Sequence, residues 1–221
     1  VLLPIGLVML QPDFGSAVVL FCIWLGMVWF SGLDRKYLIA LLVIFIILCV
    51  VAWFFVFADY QQDRILNFID PSRDPLGDGY NVHQSIIAIG SGGLSGRGLG
   101  LGPQSQLRFL PETEADFIFA SLSEELGFLG SGLIVFLYGF MFWRFYKISR
   151  MSRDTFSGLL SLGIAVIFAI QIAINIGMSL GLFPVTGLPL PFVSSGGTFL
   201  IISFILLGLL QSIVLRNKKL S

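Results

Sequence analysis

Apolar runs of membrane-spanning length, separated by short polar connections, constrain this chain more than any other feature. Residues 14–30, 37–58, 126–143, 156–183 and 198–215 each approach or exceed the ~20 apolar residues needed to cross a hydrocarbon core of ~30 Å. Residues 1–12 are too short to cross alone and read as a partial span. Backbone immersed in lipid must satisfy its own hydrogen bonds, so every run is expected to be helical. The expected fold class is therefore all-α, a polytopic transmembrane helical bundle, with residues 1–221 forming a single integral membrane domain. Because Val1 already lies inside an apolar run, the chain reads as the later part of a longer, N-terminally truncated protein. Charged residues make up only 12% of the chain, against roughly 25% in soluble domains, and the mean hydropathy is +0.93.

Charge placement orients the spans. Arg35 and Lys36, then Arg144, Lys147, Arg150 and Arg153, then Arg216, Lys218 and Lys219 fall on alternate connections and on the tail. The positive-inside rule makes those segments cytoplasmic, the C-terminus included. Eleven of the thirteen acids fall on the opposite side or at its border; Asp34 and Asp154 are the inner two. Trp29, Tyr37, Trp143 and Tyr146 near the inner boundary, with Trp53 and Tyr60 near the outer, fit interfacial aromatic belts. A net charge of zero and a pI near 6.7 give no sign of nucleic-acid binding, which calls for a basic face to meet phosphates. Cys22 and Cys49 sit in apolar runs as small hydrophobes, and the lone His83 has no companion ligand for a metal.

The outer side then holds the chemistry. Its loop, 59–125, far exceeds the length a connection needs, which marks functional or disordered segments. Turn signals alternate there with an apolar, helix-like patch at 82–89 that is expected to pack against the spans or dip between them. Glycines at 90, 92, 93, 96, 98, 100 and 102 follow. They suit either a tight re-entrant loop that exploits backbone freedom or a diphosphate-facing loop with Arg97 supplying charge; the fingerprint of a nucleotide loop is missing. Beyond it, "RFLPETEADFIFASLSEELGFLG" (108–130) crowds five carboxylates at the mouth of an apolar span.

The stretches "QPDFG", "DPLGDGYNVHQSIIAIGSGG", "QSQLRFLPE", "DFIFASLSEELGFLG", "INIGMSLGLFPVTGLPLPF" and "SSGG" resemble, in order and spacing, the SEDS family of RodA, FtsW and SpoVE, with wording closer to RodA. The resemblance implies the later half of a ten-helix membrane fold in the bacterial cytoplasmic membrane, with 59–125 as its large extracellular loop. It also implies a peptidoglycan glycosyltransferase that joins lipid II units, and a class B penicillin-binding protein as partner. The family's essential Asp falls on Asp116.

The chemistry supports that assignment. Glycosyl transfer from a lipid diphosphate needs a base for the acceptor hydroxyl and a cation, or a divalent metal ion, for the departing diphosphate. Asp116 is the candidate base. Arg97 and Arg108 are candidate phosphate ligands, with Arg97 favoured. Glu112, which matches the family's Pro-Glu pair, is a candidate to position a sugar or a metal. Asp13 either caps the helix that follows or lines the same cavity. Ser194 and Ser195, in a Pro- and Gly-punctuated outer turn, are expected to line the substrate groove. Glu124 and Glu125 are expected to open the next helix, where acids meet the positive end of its dipole. Gln171 and Asn175, four apart, are expected to bond neighbouring helices. Two departures from the family pattern stand out: Glu114-Ala115 replace its usual His-Thr, and Ser195 replaces a Tyr.

Two other function classes fit part of this pattern, a lipid II flippase and a non-catalytic scaffold for a penicillin-binding protein. A flippase calls for polar residues through the depth of several spans. Here the acids crowd one face and the spans are clean apart from Gln171 and Asn175, which favours chemistry at a surface.

Overall fold

The computed structural model describes residues 2–10, 14–55, 57, 59–70, 73–74, 77–103, 116–152 and 154–219. These form eight helices and no strand among the described residues: α1 (Leu2–Leu10), α2 (Phe14–Phe30), α3 (Arg35–Phe55), α4 (Asp59–Ile69), α5 (Asp78–Ser91), α6 (Ile118–Met151), α7 (Thr155–Ser179) and α8 (Gly197–Lys219). α3, α6, α7 and α8 are each long and apolar enough to cross a membrane. The protein is thus a multi-pass membrane protein, an all-helical bundle.

Small residues set the closest approach between spans. A side chain at Gly26 of α2 would meet the methyls of Val166 on α7, and one at Gly163 of α7 would touch Met27 on α2. Lipid tails are as apolar as the side chains they replace, so close van der Waals packing of this kind is what holds such helices together. The core lies between α6, α7 and α8, where Phe145, Ile164, Phe168 and Leu210 are buried together. α3 is exposed over most of its surface and meets α2 through a stacked pair, Phe21 and Phe45, with centroids 3.6 Å apart. Near the C-terminal end of α6, Lys147 lies over the Trp143 ring, 5.5 Å from its centroid.

The helix-like patch at 82–89 follows the sequence-based reading, whereas the helix at Asp59–Ile69 and the span expected at 126–143 depart from it. The long outer loop contains two helices, α4 and α5, and the first turns of α6. α5 covers the 82–89 patch and packs through Ala88 on Phe117 and Ala120, while Ser85 Oγ donates to Ser179 O at 2.8 Å. The span expected at 126–143 belongs to a 34-residue helix that begins at Ile118 and breaks at Gly127 (φ 66°, ψ −166°). Periodicity does not reveal such a break, because sequence compatible with a helix runs on both sides of it, mixed over 118–126 and apolar after Gly127.

The Gly-rich segment repairs that break. Arg97 N donates to Glu124 O and Gly98 N to Glu125 O, each at 3.0 Å; Phe128 N donates to Gly93 O at 2.9 Å and Leu129 N to Leu94 O at 3.1 Å. Helix ends carry unsatisfied carbonyls on one side and unsatisfied N–H groups on the other. The clamp satisfies two of each within the apolar region, where an orphan would cost several kcal/mol. Gly96 permits it: a side chain there would strike Glu125 O, and its φ of +78° suits glycine.

α7 ends on a Schellman turn. Gly181 has φ +72°, its N–H donates to Met178 O at 3.1 Å, and Leu182 N donates to Gly177 O at 2.7 Å. The turn folds back on α7 because Gly177 leaves room for the Phe183 ring, against which any side chain would collide.

Candidate functional site

α2, α6 and α8 start, and α3 and α7 end, at one end of the bundle, so Gly15, Asp116 and residues 180–196 gather there. Phe30, Tyr146 and Asp154 border a groove at the other end. Asp154 caps α7: its carboxylate accepts from Ser157 N at 3.0 Å and from Ser157 Oγ at 2.9 Å. Those hydrogen bonds, the backbone one first, hold its carboxyl below the usual range.

Asp116 sits in the turn that enters α6 and is half-buried. The neighbouring Phe117 is 1% exposed and anchors that turn against α5. Two observations place Asp116 within the fold. Asn175 of α7 donates from Nδ2 to Asp116 O at 2.9 Å, and Asp116 Oδ2 lies 3.5 Å from where a Cβ on Gly187 would stand. The carboxylate therefore faces the outer turn between α7 and α8 at a residue with no side chain to cover it.

The same turn bounds a cavity of about 350 Å³ between α2, α4 and α7. Its walls are mostly apolar, including Val18, Ile65, Ile174 and Val185, and its polar members are Gln61, Arg64 and Thr186. Gln61 and Arg64 stand three apart on α4, a spacing that puts both on one helix face. Gln61 is buried although glutamine seldom is. Neither residue stands out within the long loop from sequence alone. The available signal was the amphipathic pattern of 59–69, whose apolar positions 65, 66, 68 and 69 interleave with Gln61, Arg64 and Asn67.

The other candidates are placed differently. Arg97 is exposed; its Nε donates to Ser91 Oγ at 3.2 Å and its backbone belongs to the clamp. The N–H groups of 96, 97 and 98 are all engaged internally, so the glycines here serve close backbone approach. Ser194 Oγ accepts from Leu190 N at 2.7 Å, which fixes the bend around Phe192, whose φ is +64°; Ser195 is exposed on the following residue. Asp13, Arg108 and Glu112, with Glu114 and Ala115, lie outside the described residues. Glu124 and Glu125 do not open a helix. They end the first leg of α6, just before the break, and Glu124 is 0% exposed, with its Oε2 lodged 2.5 Å from where a Gly102 Cβ would stand. Asn175 bonds two loop carbonyls, those of Asp116 and Leu188, instead of a neighbouring helix. Among the described residues, no three His, Cys, Asp or Glu side chains come together as a metal site would require.

A buried turn that presents one carboxylate beside an apolar cavity with a guanidinium suits a substrate that is part lipid and part anion. Comparison with known proteins places the chain in a family. The chain is 41% identical over 221 residues to the peptidoglycan glycosyltransferase MrdB of Escherichia coli K12, covering 100% of this chain and 60% of that protein. It is 39% identical over 209 residues to the stage V sporulation protein E of Bacillus subtilis, covering 94% and 56%. Among solved structures, a chain of a peptidoglycan synthase complex, described as coordinating polymerization and crosslinking, superposes with a TM-score of 0.74 at 30% identity, over 93% of this chain and 56% of that one. A mutant of the rod shape determining protein RodA of Thermus thermophilus superposes with a TM-score of 0.58 at 27% identity, over 93% and 51%. The chain thus spans little more than half the length of these relatives. The family described as cell cycle protein, FtsW, RodA and SpoVE, matches residues 1–219. With the match running almost end to end, this chain belongs to the FtsW–RodA–SpoVE family.

Proposed function

We propose that the protein is a peptidoglycan glycosyltransferase that polymerises lipid II into glycan strands at the outer face of the bacterial cytoplasmic membrane, for cell elongation or division. The observation that carries this reading is the seat of Asp116, a carboxylate held at the mouth of the bundle against Gly187, in the turn that also walls an apolar cavity. The names of the relatives, among them peptidoglycan glycosyltransferase MrdB, support the reaction. The cations on alternate connections support a cytoplasmic C-terminus.

In this reading Asp116 takes the proton of the acceptor sugar hydroxyl as that oxygen bonds to the anomeric carbon of the donor. The bond from that carbon to the diphosphate oxygen breaks, its electron pair leaves with the lipid diphosphate, and the configuration inverts. The departing charge needs a cation. Arg64, the charged residue of the cavity, is the first choice, with Arg97 and Arg108 as the alternatives. Asp13, Glu112 and Ser195 are assigned to sugar contacts, and Ser194 to holding the turn that carries Ser195. Likeness to a chain of a peptidoglycan synthase complex supports a class B penicillin-binding protein as partner.

The test is polymerisation of purified lipid II by the reconstituted full-length protein with its partner, read as glycan chains on a gel. Asp116→Ala should lower the rate ~10²–10⁴-fold, the usual contribution of a positioned general base. Chains made at the wild-type rate by a folded D116A protein would remove Asp116 from the chemistry.

A further inference from the structure

We infer that Asn175 is a positioning residue for Asp116, a neutral staple whose two amide hydrogens hold the catalytic turn against the outer turn. The inference rests on the reading of Asp116 as the base. Asn175 lies one turn before the end of α7 and is 0% exposed. Its Nδ2 spends one hydrogen on Asp116 O at 2.9 Å and the other on Leu188 O at 2.8 Å. Those carbonyls belong to segments 72 positions apart in the chain, and Leu188 is the residue after Gly187, which faces the Asp116 carboxylate. One side chain therefore sets the separation of the two backbones that frame the reacting group.

Chemistry restricts the position to an amide of this length. Two carbonyl acceptors require two donors on one atom, which also dictates how the amide is turned. An aspartate would set a charged acceptor against both carbonyls. An apolar residue of the same shape would supply neither donor. Asn175 Oδ1 is itself buried and has no hydrogen-bond partner among the described residues. A group whose only function was to stabilise the bundle would not be expected to retain such an unpaired acceptor, whereas one that fixes a reacting turn tolerates it.

The experiment compares Asn175→Ala and Asn175→Gln with wild type in the full-length protein, each first checked for a monodisperse, folded state, using lipid II polymerisation at varied substrate. A displaced base costs turnover without affecting substrate capture, so kcat should fall ~10–100-fold with KM within about twofold, as misplacement by ~1 Å does. Gln, which keeps both donors one methylene further out, should lose less than Ala. If Ala does not fold, the same split in Gln carries the test. A folded variant with wild-type kcat, or with its loss entirely in KM, overturns the inference. Asp116→Ala run alongside separates the two ideas: an active D116A removes the base, whereas an inactive D116A beside an unimpaired Asn175 variant removes only the staple.

Discussion

Replacing Gly127 by Ala tests the clamp at the break in α6. The residue sits at φ 66° and ψ −166°, a region essentially closed to side chains and worth about 1–3 kcal/mol of strain. A Cβ there would also strike Gly96 N and stand 2.8 Å from the Leu94 carbonyl, the two points at which the Gly-rich segment enters the break. Relief requires that segment to move. Its four hydrogen bonds, from Arg97, Gly98, Phe128 and Leu129, each contribute about 0.5–1.5 kcal/mol net. Strain and lost bonds together come to ~3–9 kcal/mol, a large share of the ~5–15 kcal/mol by which folded domains exceed their unfolded states. Gly139→Ala is the matched control: it lies in the second leg of the same helix, and a side chain there meets nothing within 4 Å. Thermal unfolding of both variants in detergent, followed by size-exclusion, supplies the comparison, and lipid II polymerisation shows whether Asp116, eleven residues before the break, is disturbed. G127A should melt well below wild type or fail to accumulate, while G139A stays at or slightly above it. A G127A protein that melts and polymerises like G139A would refute the clamp as a structural necessity.

Arg64→Ala should raise KM for lipid II by about tenfold or more if the guanidinium holds the diphosphate, and Arg64→Lys should recover only part of that, since a point charge lacks the planar fork; an unchanged KM in both moves the diphosphate elsewhere. Tyr138→Phe leaves Pro191 O, which accepts from Tyr138 Oη at 2.7 Å, buried without a donor. It should destabilise by about 1–3 kcal/mol in thermal or denaturant unfolding, with the fold otherwise retained. The Asp154 carboxyl is held low in the folded state, so its cap is fully present above the unfolded carboxylate value of about 4 and is lost as pH falls below it. Amide exchange at the first turn of α7, corrected for intrinsic rates, should lose protection on acidification in wild type and show no such step in Asp154→Ala.

Much of this protein is legible along one dimension. A bilayer demands long apolar runs and makes them helical, so helices such as α2 and α8 follow from local composition. The family motif likewise marks Asp116 without coordinates. Other features needed distant segments to meet. The break at Gly127 is invisible between two legs that are both helical, and its repair depends on glycines about thirty residues away. Gln61 and Arg64 look like loop residues until α4 folds against α2 and α7, and Asn175 looks like interhelical glue until its amide is seen between Asp116 and Leu188. The physical reason is that burial in lipid is a property of each segment alone, whereas hydrogen bonds and cavities are properties of pairs, and only packing in three dimensions decides which pairs form.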